Sequence, residues 1–154
     1  MEIRKATTDD YEQLKEIKLK AKASERIYNK SLKPLRQCKE SYFAYLASDL
    51  TRKEMAVFIA VERGKPVGMI TGRIHETLPV KTLRRKGHAS NLFIMPGHRR
   101  KGIATALMSE LLKWFRDNNV KDVRLGVHAK NASAYDMFRK FKFREYATEM
   151  KKQL

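Results

Sequence analysis

The run from Asn91 to Leu107 constrains the chain more than any other, because it reads as a buried strand, a tight basic turn and the start of a helix. Leu92, Phe93, Ile94 and Met95 form a short apolar run of β-favouring residues. Pro96-Gly97 ends it, since proline has no amide to give a ladder and glycine accepts turn dihedrals. Ile103, Leu107, Leu111 and Trp114 then recur at helical spacing, with Ala106, Leu112 and Phe115 widening the stripe. An amphipathic helix of roughly four turns is expected, ending near Asn118-Asn119. Beyond it Val123, Leu125 and Val127 alternate with Arg124, Gly126 and His128, the pattern of a half-buried strand. Strand, helix and strand in that order favour a right-handed crossover with parallel strands, and hence an α/β fold.

Small and basic residues cluster where the strand gives way to the helix. Arg99, Arg100 and Lys101 bring charge, while Gly102 and Ala104 leave room for a ligand to approach the backbone. The first amides of a helix, here those of Ile103, Ala104 and Thr105, have no internal partner and lie at the positive end of the dipole, so anionic oxygens can dock there. A diphosphate fits, and the competing reading is an ordinary solvated helix start. Neither G-x-x-x-x-G-K-S/T nor G-x-G-x-x-G is present.

At 154 residues the chain suits a single domain, 1–154, with a core of its own. No apolar run is long enough to span a bilayer, and Met1-Glu2-Ile3-Arg4-Lys5 lacks the apolar centre of a signal peptide, so a cytoplasmic protein without membrane partners is expected. One cysteine, Cys38, excludes an intrachain disulfide and a cysteine-based metal cluster, and we expect it in the core. Lys and Arg number 34 against 17 Asp and Glu, a formal +17. That field attracts polyanions, among them a coenzyme or nucleic acid, and argues against polycationic substrates. A charge-rich, thermophilic surface is the bland alternative.

Elsewhere the chain alternates elements. Met1–Ala6 is a short strand, and Thr8 caps a helix with Asp9 and Asp10 in its first turn and Tyr11, Leu14, Ile17 and Ala21 facing inward. Ser24–Pro34 reads as a loop and Leu35–Leu50 as a second helix. Met55–Val61 and Val67–Ile74 read as a hairpin about Gly64-Lys65-Pro66, with Gly68 and Gly72 marking a bulge or a close backbone approach. Leu78–Gly87, carrying Lys81, Arg84, Arg85 and Lys86, is a basic loop. Ala134, Met137, Phe138 and Phe141 define a short helix, and Phe143–Leu154 a final strand.

Arg99-x-x-Gly102-x-Ala104 resembles the R/Q-x-x-G-x-G/A motif of the GNAT acyltransferases. Asn131, Ala134 and Phe138-Arg139-Lys140-Phe141-Lys142-Phe143 resemble the family's N-x-x-A and Y/F-x-K-x-G-F run, in the right order and one strand later. The resemblance covers nearly the whole chain. It implies a mixed, mostly antiparallel sheet with splayed central strands and flanking helices, and acetyl-CoA as cosubstrate with no metal. It also implies transfer of an acetyl group to a primary amine by direct attack. Arg99, Arg100, Lys101, Gly102, Ile103, Ala104 and Thr105 would then hold the diphosphate. The backbone of Phe93 and Ile94, with Leu92 beside them, would pair with the pantetheine. Asn131 would orient the coenzyme arm, with Phe138 near it, although Asn131 also reads as a helix cap.

The chemistry departs from the pattern. Acyl transfer needs a base for the ammonium, a donor for the developing oxyanion and help for the leaving thiolate. Phe138 stands where the family places a tyrosine acid, and Gly126 where some members place a glutamate base. His128, His88 and Glu76 are the substitute bases and Tyr135 the substitute acid. Only about a dozen residues follow Phe141, enough for one strand, so the acceptor side is open or completed by a second subunit in a homodimer. Two rivals remain: a coenzyme-binding protein without turnover, and a nucleic-acid-associated protein resting on charge alone. The acceptor amine is not specified by any motif.

Overall fold

A two-residue turn fixes the sheet. Arg63 and Gly64 both have positive φ, 51° and 74°, the geometry that matches the twist of a tight hairpin. It joins β2 (Met55–Glu62) to β3 (Lys65–Glu76). Lys65 and Pro66 therefore lie in the strand, not the turn, and the ladder slips between Ala60 and Val61, opposite the proline that has no amide to give.

The computed structural model describes residues 1–154. Around the hairpin are β1 (Glu2–Lys5), β4 (Arg85–Ile94) and β5 (Val123–Leu125), in the spatial order β1-β2-β3-β4-β5. The first four strands are antiparallel neighbours, and β4 and β5 are parallel. The helices are α1 (Tyr11–Tyr28), α2 (Lys39–Thr51), α3 (Ile103–Asp117) and α4 (Ala132–Lys140).

Alternation along β2 divides the core. Ala56, Phe58 and Ala60 face α3, where Ile103, Leu107, Met108, Leu111 and Phe115 are buried. Val57 and Ile59 face the other side, against Leu14, Ile17 and Leu46 of α1 and α2. Gly87 of β4 and Gly72 of β3 let α3 sit close: a Cβ on Gly87 would lie 2.7 Å from the Phe115 ring, and one on Gly72 would overlap Leu111. At the start of α1, Asp10 accepts from the Thr7 amide at 2.9 Å and from both terminal nitrogens of Arg4 at 2.8 and 2.7 Å. The Arg4 bonds, with the Thr7 amide, hold the Asp10 carboxyl at about 2. Thr7 rather than Thr8 is the capping residue, because Thr8–Asp10 form one tight turn before the helix.

Four expectations change. Ser24–Tyr28 continue α1, because no proline or glycine interrupts the chain before Pro34 and a Lys22–Glu25 ion pair at 2.6 Å supports the last turns. The strand β4 starts at Arg85 rather than after Gly87: Glu76 and His75 pair with Arg85 and Lys86, and one solvated face tolerates their charge. Cys38 is only half-buried, its thiol 3.4 Å from the Pro34 carbonyl. No strand forms over Phe143–Leu154. Lys142, at the place of the motif's glycine, has φ 64° and turns the chain back. Phe143 then packs edge-on against Phe138, 6.1 Å between centroids. Downstream of Phe143 neither face of the run is apolar, and β5 offers an edge of only three residues.

Candidate functional site

The turn after β4 is a row of unspent amides. Pro96–His98 form a single tight turn, and Arg100 and Gly102 take positive φ, 60° and 77°, the alternation that points successive amides into one concavity. Gly102 is the N-cap of α3 and offers no side chain to cap it. The first helical bond is that of the Ala106 amide to the Gly102 carbonyl, 3.0 Å. Ahead of it, the six amides from Arg100 to Thr105 donate to no acceptor in the chain. Positive charge surrounds them, and Glu62 anchors the turn through His98 Nδ1 at 2.9 Å. Arg99 supports the turn rather than reaching into it: its Nε donates to the Ile94 carbonyl at 3.0 Å, and its guanidinium lies 5.5 Å from the Phe93 ring centre.

Beside the cradle, β4 changes phase. The Gly87 amide points toward β5, donating to Asp122 at 2.8 Å, whereas the Met95 amide points toward β3, donating to Val67 at 2.9 Å. Eight residues apart in an unbroken strand, both would face the same neighbour. The slip occurs at Asn91, φ 53°, where Asn91 and Leu92 together face Ile70 of β3, a bulge. Upstream of it Gly87 and Ala89 bond outward to β5. Downstream, Leu92 and Ile94 face outward, yet pairing with β5 has already ended at Ala89–Leu125. The strands diverge there, leaving a gap with backbone amides on one wall. Phe93 points its backbone at Met69 of β3, so of the expected pair Ile94 alone faces the gap, joined by Leu92.

On the α1–α2 face the bulge opens into a cavity of about 530 Å³, lined among others by Ser90 and Asn91 of β4, Arg73 and His75 of β3, and Lys18 and Asp49 from the helices. His88 is directly across the ladder from Arg73 and also lines it. Lys18 is almost fully buried and lies 3.5 Å from Asp49. Burial pushes the Lys18 ammonium down and the Asp49 carboxyl up, while the pairing opposes both. His88 is solvent-exposed as a residue, but desolvation by its neighbours, with repulsion from Lys86 and Arg73, lowers its pKa. His75, 6.5 Å from it, is lowered for the same reasons.

Of the other catalytic candidates, none lines this cavity. His128 is exposed, its Nδ1 accepting from the Lys130 amide at 3.2 Å and its ring 5.6 Å from Tyr28. The Tyr135 hydroxyl donates to Glu145, which raises its pKa. Glu76 ends β3 at the surface. A Cβ on Gly126 would meet nothing within 4 Å. Asn131 caps α4, its Oδ1 accepting from the Ala134 amide at 3.3 Å, and Phe138 packs against the α3 side of the core. Sequence reasoning missed Arg73, Lys18 and Asp49. The available signal was Lys18 itself, a cation one position after Ile17 in the inward stripe of α1.

A helix N-terminus with six unpaired amides, beside a gap where two parallel strands stop pairing, is a site suited to an anionic group. Residues 21–143 match the profile of the Acetyltransferase (GNAT) family, and the chain belongs to that family: it is an acetyl-CoA-dependent N-acetyltransferase. The N-alpha-acetyltransferase of Sulfurisphaera tokodaii is 32% identical over 114 residues, 69% of this chain and 67% of that protein. That of Sulfolobus acidocaldarius is 29% identical over 150 residues, 94% and 80% respectively. A predicted acetyltransferase from Clostridium acetobutylicum, solved with acetyl-CoA, has the same fold at a TM-score of 0.78 and 19% identity, over 99% of this chain and 95% of that one. No three His, Cys, Asp or Glu side chains gather as a metal site, and no helix is long and apolar enough to cross a membrane.

Proposed function

We propose that this enzyme acetylates the α-amino group of polypeptides by direct attack of the amine on acetyl-CoA. The observation that carries the reading is the bulge at Asn91, which has the coenzyme gap on one side and a polar cavity on the other. The names of the relatives from Sulfurisphaera and Sulfolobus support the acceptor. We assign the reaction to one domain, residues 1–154, in the cytoplasm, with a homodimer as the arrangement that would cover the acceptor side.

When bound, acetyl-CoA supplies an acetyl group activated as a thioester with a thiolate as leaving group. The amides from Arg100 to Thr105, with the charges of Arg100 and Lys101, hold its diphosphate. The outward amides of Leu92 and Ile94 orient its arm and can donate to an oxyanion. Asn131 and Phe138 border it from α4. His88 is the base: its lowered pKa keeps it neutral at physiological pH and able to take the ammonium proton. A missing acid at Phe138 matters little, because a thiolate is a good enough leaving group to depart before it is protonated.

The test supplies acetyl-CoA and a peptide carrying both a free N-terminus and an internal lysine, then locates the acetyl group by mass spectrometry. The proposal expects it on the α-amine. Acetylation of the lysine, or of a formylated peptide, refutes the acceptor.

A further inference from the structure

The charges of the acceptor cavity do not balance. Three cationic side chains, Lys18, Lys22 and Arg73, share it with one carboxylate, Asp49. Lys18 is committed to Asp49 at 3.5 Å, and Lys22 to Glu25 at 2.6 Å. Arg73 has no ion pair in the chain, and it is exposed on β3. What an acceptor meets there is one free guanidinium.

Its placement is specific. Arg73 and His88 are direct cross-strand partners, which sets their Cβ atoms about 5 Å apart on the same face. An amine delivered to His88 therefore carries its nearest substituents past Arg73. A guanidinium presents two parallel N–H groups that match a carboxylate and repel an ammonium.

Resting on the α-amine reading above, we infer that the enzyme selects peptide N-termini with aspartate or glutamate at the first or second residue, and that Arg73 reads the carboxylate. The other cavity charges fit: the Lys18–Asp49 and Lys22–Glu25 pairs are each neutral as units, which leaves Arg73 as the unpaired charge.

The experiment compares kcat/KM for peptides that differ only in aspartate against asparagine, or glutamate against glutamine, at each of the first two positions. The unmodified enzyme is expected to favour the acid by on the order of tenfold at one of them, and less at high salt. Arg73→Gln should bring that ratio to about one, the loss falling on the acidic peptide's KM rather than on kcat, and Arg73→Lys should restore part of it. Equal rates on acid and amide in the unmodified enzyme overturn the inference and leave the α-amine reading standing. So does a ratio that survives Arg73→Gln. Acetylation of none of these peptides, with acetyl-CoA still binding, overturns both.

Discussion

Gly102→Glu isolates the cradle. Gly102 holds φ 77°, where a side chain costs about 1–2 kcal/mol of strain. No atom lies within 4 Å of the position a Cβ would take, so there is no steric charge to add. Domains of this size tolerate such a loss, and the variant should fold with a lowered Tm. Its carboxylate, however, stands amid the six unpaired amides and is drawn to them by the dipole of α3. Against one phosphate charge about 5 Å away, the repulsion is roughly 1–3 kcal/mol between the water-like and surface-like dielectric limits. The expected rise in Kd for CoA is about tenfold to a hundredfold. Gly102→Asn is the control, since asparagine tolerates the left-handed region and is uncharged. Calorimetric titration of both folded variants with CoA reads the difference. If Gly102→Glu binds CoA within a factor of two of the parent, the amides are not the seat. If the asparagine variant loses as much as the glutamate, backbone shape rather than charge is responsible.

Three further outcomes are expected. His88→Gln should lower kcat/KM by about 10²–10⁴-fold. In the parent, activity should rise with pH through a value below the ordinary histidine pKa, and this limb should vanish in the variant, as a pH profile checks. Asp49→Asn strands the Lys18 ammonium and should cost about 3–5 kcal/mol in urea unfolding, while Lys18→Met with Asp49→Leu should recover most of it; failure of the double variant to recover would show that the pair does more than neutralise itself. Asp10, depressed to about 2 in the folded state, contributes stability that is complete above the unfolded carboxylate value and is lost as pH falls from about 4 toward 2. Arg4→Gln should remove about 1–2 kcal/mol of it at neutral pH and flatten that acid limb in thermal melts.

Strong periodicity was legible, weak periodicity was not. The stripe from Ile103 to Phe115 marked α3 and its buried face, and Pro96-Gly97 with Gly102 marked the turn and the helix start with its unpaired amides. The strand tail was misread because Phe143–Leu154 alternates without an apolar face, and alternation alone binds nothing. The bulge at Asn91 had no local signal, since its cause is the mismatch between β4 and two different neighbours, a relation between distant segments. The acceptor cavity was hidden for the same reason: β3 and β4 pair Arg73 with His88, and only the packing of α1 on the sheet brings Lys18 to them. Gly68 and Gly72 suggest a bulge or a close backbone approach: the β2–β3 register slips next to Gly68, and Leu111 lies over Gly72 as α3 requires.

The extra residue at Asn91 acts as a switch of polarity along one ribbon. Before it the strand spends its outward valences on its own scaffold, and after it they have no partner in β5. Deleting that single residue would leave composition and hydropathy almost untouched and restore plain alternation, with Gly87, Ala89, Leu92 and Ile94 all outward in one register and the local kink removed. A one-codon deletion there therefore separates the bend from the direction of the amides: if the strands still part without the kink, the bend is not what opens them.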